Sequence, residues 1–426
     1  MTALKQDIEV SRASRVQKVK SPAGIEVWLV EDYTVPLVAF DFAFTAGSAH
    51  DPEGKAGVAN ILSGILDEGA GDLDADAFHR ALDEKAVEIS FHTGHDSFSG
   101  DLKTLTRHID DAFELLRLAV NEPRFDADAL ERIRSQVIAG IKRDAKDPDS
   151  MVARAWRKAS FGAHPYGRPV HGDLQSVPAV TKDDVATLYR RLFTRDRLKI
   201  AAVGAIDAKR IGELVDKTFA NLPARGDLPA VGPVTAAAGL REVIDLDVPQ
   251  TTLRFSLPGI GRDDPDFIPG IVLNHILGGG VFSARLFKEV REKRGLAYSI
   301  YSSLYSYDCT ALFMGATSTK NERAAESVQV IEEEIGKMLA EGPTAAELES
   351  AKKYLVGSYP LRFDTSTKIA GNLVNMQLEN RPVEFLDQRN GLIEAVTLDD
   401  LARVAKRLFD GKKLTVVAAG RPQGLA

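Results

Sequence analysis

The chain has 426 residues, 44% of them hydrophobic, enough for two or three domains with conventional cores. A net charge of -7, with no basic stripe interleaved with aromatics, argues against a nucleic-acid partner. The single cysteine, Cys309, excludes an intrachain disulfide, and no apolar run reaches the length of a membrane span.

Residues 1–20 are polar and lack the apolar middle region of a secretory signal, so the protein is expected to stay unexported or to have had a signal removed. Strands rich in Val, Phe and Leu are predicted over 26–30 and 36–44. After Gly57, residues Val58, Ile61, Leu62, Ile65 and Leu66 recur at i, i+3, i+4, i+7 and i+8, the buried face of a helix, with Asn60, Ser63, Gly64 and Asp67 opposite. Residues 89–98 read as one strand, which sets His92 and His95 on opposite faces and argues against a metal pair. Apolar spacings over 101–120 and 126–142 predict two helices on a sheet, and His164 and His171 flank a Pro- and Gly-rich loop as structural residues.

An internal duplication closes both halves. Val180-Thr-Lys-Asp-Asp-Val-Ala, Arg191-Leu-Phe and Leu198-Lys-Ile-Ala-Ala-Val-Gly return as Val396-Thr-Leu-Asp-Asp-Leu-Ala, Arg407-Leu-Phe and Leu414-Thr-Val-Val-Ala-Ala-Gly. Thr181 with Asp184 fits a capping box that opens a helix leading into a buried strand. The repeat is far longer than a solenoid unit of about 20–50 residues, so it marks duplicated domains. The chain divides into a polar arm (1–20), an N-terminal domain (21–222), a Pro-, Gly- and Ala-rich linker (223–240) that would let the halves rotate, and a C-terminal domain (241–426). The fold class is α+β: two duplicated domains, each a mixed or antiparallel sheet with helices on one face.

The most distinctive stretch is Gly278-Gly279-Gly280-Val281-Phe282-Ser283-Ala284-Arg285-Leu286-Phe287, continuing through Val290-Arg291-Glu292-Lys293-Arg294-Gly295-Leu296-Ala297-Tyr298-Ser299-Ile300-Tyr301-Ser302. Phe282, Leu286, Phe287 and Val290 predict a helix from Phe282 to Arg294, stopped by Gly295 in a left-handed conformation, and alternation from Ala297 predicts a strand. By composition alone, Lys288 to Arg294 is a solvated basic face at a helix C-terminus.

Leu-Gly-Gly-Gly, Ser-x-Arg-Leu-Phe and Val-Arg-Glu-Lys-Arg-Gly-Leu-Ala-Tyr-Ser together resemble the C-terminal half of the pitrilysin/insulinase family of zinc metallopeptidases. That resemblance extends from about Lys18 to Gly420 and implies a clamshell arrangement like that of mitochondrial processing peptidase. It implies that Arg291 and Tyr298 bind and polarise the scissile carbonyl, Arg294 being the alternative arginine, with Gly279, Gly280 and Phe282 beside the substrate. The family's zinc helix carries His-x-x-Glu-His where this chain has Asn60, Ile61, Leu62, Ser63 and Gly64, and its distal glutamate falls at Ala139 or Gly140. No metal or cofactor is therefore expected in this chain. The resemblance implies a non-zinc subunit, inactive alone, of a heterodimeric metalloendopeptidase acting on peptides, with zinc and general base on a homologous partner. The alternative is a structural subunit like the core subunits of a respiratory complex. A periplasmic location is expected, with cytoplasmic or mitochondrial alternatives.

Overall fold

In the computed structural model, which describes residues 12–425, alternating burial along the strands builds two sheets, one in each half. The N-terminal half runs β1 (Gln17–Lys20), β2 (Glu26–Glu31), β3 (Leu37–Phe44), α1 (Val58–Ile65), a small hairpin of β4 (Gly69–Ala70) and β5 (Leu73–Asp74), α2 (Ala75–Lys85), β6 (Glu88–Thr93), β7 (Phe98–Leu105), α3 (Ile109–Asn121), α4 (Ala127–Asp144), α5 (Pro148–Phe161), α6 (Lys182–Leu192), β8 (Leu198–Gly204) and α7 (Ala208–Phe219). The C-terminal half runs β9 (Arg241–Asp245), β10 (Gln250–Pro258), α8 (Phe267–Asn274), β11 (Ala297–Ser306), β12 (Ala311–Lys320), α9 (Ala324–Ala340), α10 (Ala345–Gly357), α11 (Ser366–Leu378), α12 (Phe385–Glu394), α13 (Leu398–Phe409) and β13 (Thr415–Gly420).

The sheet orders are β1-β2-β8-β3-β7-β6 and β9-β13-β10-β12-β11. Without β1 they coincide strand for strand, down to a single parallel pair, β2 with β8 and β9 with β13, in an otherwise antiparallel ladder. This is the duplication in three dimensions. The capping boxes of Thr181 with Asp184 and Thr397 with Asp400 open α6 and α13 in equivalent places. The fold is two α+β domains in a clamshell arrangement.

Each sheet packs its own helices on one face. A six-strand core under Phe40, Phe42, Phe44 and Phe113 fills the N-terminal half, and Phe255, Phe313, Val290 and Leu401 lie in its C-terminal counterpart. The other face of each sheet is covered by a helix from the opposite half. Helix α5 sets Val152 and Trp156 against Val417 and Ala419, while α11 sets Leu373 and Val374 in one layer with Trp28, Ala201 and Val203. A buried hydrogen bond pins each exchange: Trp156 Nε1–H donates to Ser256 Oγ (2.8 Å), and Gln377 Nε2–H to the Ile200 carbonyl (2.8 Å).

Several expectations change. Of the polar segment 1–20, residues 1–11 lie outside the described residues, but 17–20 form β1 and pair with β2, Lys18 opposite Trp28. Residues 89–98 are two strands and their turn, and 101–105 continue β7 rather than a helix. Leu102 and Leu105 are spaced as on a helix, yet burial alternates through Phe98, Gly100, Leu102 and Thr104, the period of a strand. The segment 223–240 is not a free hinge. Leu228 joins the N-terminal core, Ala236 is buried under α5, Val234 N–H donates to the Cys309 carbonyl (3.1 Å), and Ala237 N–H donates to the Ser160 carbonyl (2.9 Å). Among the described residues no helix is long and apolar enough to cross a membrane.

Candidate functional site

The helical turn before β11 starts later than its apolar spacing predicts. Val281 to Ser283 form a 3-10 turn, and Phe287 to Lys293 are wound as a wider π-type helix. Leu286, Phe287 and Val290 are buried, whereas Phe282 is 71% exposed, its ring edge-on to Phe287 at 5.2 Å. Gly295 does end the helix at φ +58°, its N–H donating to the Arg291 carbonyl (3.0 Å).

Strand β11 then begins with a bulge. Ala297 pairs with Thr319 and Ile300 with Thr317, so Tyr298 and Ser299 occupy the space of one residue. Strict alternation would put Tyr298 on the buried side with Ile300. The bulge turns it outward instead, 83% exposed, and Thr317 Oγ1 and Thr319 Oγ1 hold the distortion by donating to the Ser299 and Leu296 carbonyls (2.8 and 2.7 Å).

Tyr298 thereby reaches Arg291. The guanidinium carbon lies 4.8 Å from the Tyr298 ring centroid and 4.8 Å from that of Phe287, a cation held between two aromatic faces. Among the described residues neither the guanidinium nor the phenol has a hydrogen-bond or ion-pair partner, so the donors of both are left unsatisfied by the fold. Arg294 is committed elsewhere: it and Lys293 grip Glu289, whose carboxyl they hold below its ordinary range. The structure thus brings Arg291 and Tyr298 into one corner and leaves Arg294 out of it.

The three glycines have packing reasons of their own. A Cβ on Gly278 would lie 2.3 Å from Ser302 Oγ and 2.9 Å from its backbone nitrogen; one on Gly279 would meet Asn274 Nδ2 at 2.8 Å; one on Gly280 would meet the His275 carbonyl at 2.8 Å. They let a π-type turn lie against β11, where Asn274 Nδ2–H donates to the Ser302 carbonyl (3.1 Å) and Ser302 Oγ–H donates to Asn274 Oδ1 (2.8 Å).

In the N-terminal half the position of the zinc helix is α1. Asn60 Oδ1 accepts from His171 Nδ1–H (2.8 Å), Ser63 Oγ–H closes on the Asn60 carbonyl (2.8 Å), and Gly64 faces Ile133 so closely that even a Cβ would stand 3.1 Å from Cγ2. A side chain at 64 would have to displace Ile133, and positions 139 and 140 hold Ala and Gly, neither a metal ligand. Among the described residues no three His, Cys, Asp or Glu side chains are grouped to hold a metal. These residues do not fit zinc. His92 is exposed beside Asp101, while His95 sits in the β6–β7 turn with Nε2–H donating to the Arg168 carbonyl (3.2 Å). His164 Nε2–H donates to the Gly232 carbonyl (3.0 Å), so this histidine fastens the linker. Sequence reasoning missed the Asn60–His171 contact and the bulge; the one readable sign of the bulge is that Ala297 and Ile300, both apolar, break period two.

The duplicated, helix-exchanging fold with a metal-less α1 and an open Arg–Tyr corner defines a peptidase-fold chain that lacks its own metal set. Residues 26–174 match the model described as Insulinase (Peptidase family M16), and residues 179–355 match Peptidase M16 inactive domain. The chain belongs to the M16, or insulinase, family. It is 24% identical over 380 residues to Non-peptidase homolog YmxG of Helicobacter pylori, covering 89% of this chain and 88% of that one. It is 22% identical over 394 residues to Mitochondrial-processing peptidase subunit beta of Lentinula edodes, covering 89% and 84%. The crystal structure of a peptidase M16 inactive domain from Pseudomonas fluorescens superposes with a TM-score of 0.89 at 28% identity, over 96% of this chain and 98% of that one.

Proposed function

We propose that this chain is the non-zinc subunit of a heterodimeric, periplasmic zinc metalloendopeptidase, supplying Arg291 and Tyr298 to the scissile carbonyl of a peptide. The observation that carries this is the pairing of a metal helix that lacks metal ligands with a corner whose donors have no partner among the described residues. The planar face of the Arg291 guanidinium, clamped between Phe287 and Tyr298, fixes the direction of its N–H groups. Tyr298 adds an O–H donor. A peptide carbonyl placed at this corner accepts from both, and the bonds strengthen as negative charge develops on its oxygen. The metal and the general base belong to the partner, a zinc-bearing homologue, so assembly is a catalytic requirement.

Titration tests this. Adding the chain to a zinc-bearing M16 homologue should restore cleavage of unstructured peptides, with activity saturating at equal amounts and no activity from this chain alone. Cleavage by the homologue that this chain leaves unchanged would refute the assignment and favour a scaffold role. Cell fractionation that recovers the chain with cytoplasmic markers would refute the periplasmic placement.

A further inference from the structure

The C-terminal sheet face crossed by α5 carries positive charge that the packing does not use. Along β10, Leu253, Phe255 and Leu257 enter the C-terminal core, so Arg254 and Ser256 face the other way. The register sets Arg254 beside Ala316 of β12, and Ala316 beside Tyr301 of β11; four residues along each strand, Pro258, Leu312 and Tyr305 form a parallel row. Ala316 is small, so the first row is a trough between a guanidinium and a phenol ring. Helix α5 adds Arg157, next to the Trp156 that is pinned to Ser256. Tyr307 follows where β11 ends.

These groups are donors without acceptors. Among the described residues neither Arg157 nor Arg254 has an ion pair or hydrogen bond, Arg254 Nε is buried without a partner, and the hydroxyls of Tyr301, Tyr305 and Tyr307 meet no acceptor. Burial, with the charge of Arg254 also acting, pulls the Arg157 guanidinium below its ordinary value. Burial, then the charge of Arg157, pushes His95 down to about 4, so it stays neutral and contributes no anion at physiological pH. The carboxylate of Asp96 is engaged by the Tyr166 hydroxyl and the Asp308 N–H. Two half-buried cations without a counterion are costly unless a ligand brings one.

We infer that this trough is a carboxylate subsite for the bound peptide, with Arg254 and Arg157 pairing the carboxylate and Tyr301 and Tyr305 forming a shelf under the adjoining chain. The inference rests on the peptide-binding reading of the Arg291–Tyr298 corner. Tyr301 stands about 7 Å along β11 from Tyr298, because the bulge fits Tyr298 and Ser299 into one residue's rise, and Arg254 lies about 10 Å across two strand spacings, so an extended peptide places its carboxylate about four residues from the scissile bond. Either a C-terminal carboxylate or an Asp or Glu side chain supplies that chemistry.

Fluorescence anisotropy with the full chain alone separates the sources, using one N-terminally labelled peptide made with a free or amidated C-terminus and with Glu or Gln near that end. The carboxylate that fits should bind at least about tenfold tighter than its neutral counterpart. A preference following the free terminus assigns the C-terminal carboxylate, and one following Glu assigns the side chain. Arg254→Met and Arg157→Met should each abolish the preference without lowering the melting temperature, because each removes an uncompensated cation. Equal binding of all four peptides overturns the subsite, as does a variant that melts well below the parent, which would make the arginines structural. A retained carboxylate preference alongside failed reconstitution with the zinc-bearing homologue would refute the subunit assignment and leave the subsite standing.

Discussion

Replacing Tyr298 with Phe removes one oxygen atom from the molecule, and the structure says what that oxygen does not do. The side chain is 83% exposed and its hydroxyl has no partner among the described residues, so Tyr298→Phe should change folding stability by no more than about 0.5 kcal/mol. The ring that flanks the Arg291 guanidinium at 4.8 Å is kept, and with it a stacking contribution of about 0.5–1 kcal/mol. Under the subunit assignment, what is lost is one donor to a developing oxyanion, worth about 10²- to 10³-fold in turnover. The expected result is a fall of that size in kcat of the mixed complex, with the thermal melt of this chain and the metal content of the complex unchanged. Arg291→Lys sharpens the test, since lysine keeps the charge but has no planar face to be clamped by Phe287 and Tyr298; it should weaken substrate binding as well as slow turnover. An unaltered kcat for Tyr298→Phe in a complex that still assembles would remove the phenol from the mechanism.

Other consequences follow from the packing. Trp156→Ala should cost about 3–5 kcal/mol in lost volume, with more for a buried Ser256 Oγ left unpaired, and the fluorescence of Trp28 in the opposite layer should report unfolding at lower denaturant; an unmoved Trp28 transition would mean that the halves unfold independently. Gly278→Ala drives a methyl into Ser302 and should lower both the melting temperature and the activity of the mixed complex, whereas unchanged activity would show that the turn does not position β11. Burial, then the charge of Asp101, raises the Asp41 carboxyl to about 7, above its value in the unfolded chain, so this group's contribution to stability is present below about pH 4 and is lost as pH rises through about 7. Asp41→Asn should therefore raise the melting temperature more at pH 8 than at pH 4; the same shift at both would refute the assignment.

How much of this was legible in the sequence depended on how local the determining contacts are. The strands at 198–204 and 415–420, the capping box of Thr181 with Asp184 and the stop at Gly295 are set by residues within a few positions of each other, and the sequence reading places them well. The Arg291–Tyr298 corner was legible as a pair of residues but not as a geometry, because the bulge at Tyr298 and Ser299 depends on hydroxyls of Thr317 and Thr319 on the neighbouring strand. The exchanged helices left no trace at all. Trp156 and Val374 bury against strands more than a hundred residues away, and amphipathic spacing does not say whose sheet an apolar face will meet. For the same reason the Pro- and Gly-rich segment 223–240 read as a hinge, while its backbone is tied to residues near 50, 160, 195 and 309.

That exchange bears on how a substrate could enter. With α5 buried on the C-terminal sheet, α11 on the N-terminal sheet and the connecting segment fastened to both, rotation of one half against the other would expose Trp156, Leu373 and Val374 together and break both buried pins, Trp156 to Ser256 and Gln377 to Ile200. Fully burying side chains of this kind contributes about 1.5–3 kcal/mol each, so the opening would cost a large share of the stability of a typical domain. A chamber that admits peptide must therefore open along a surface without such an exchange. Under the subunit assignment that surface is the junction with the partner chain, and the Arg291–Tyr298 corner, rigid within its own chain, meets the metal only when that junction closes.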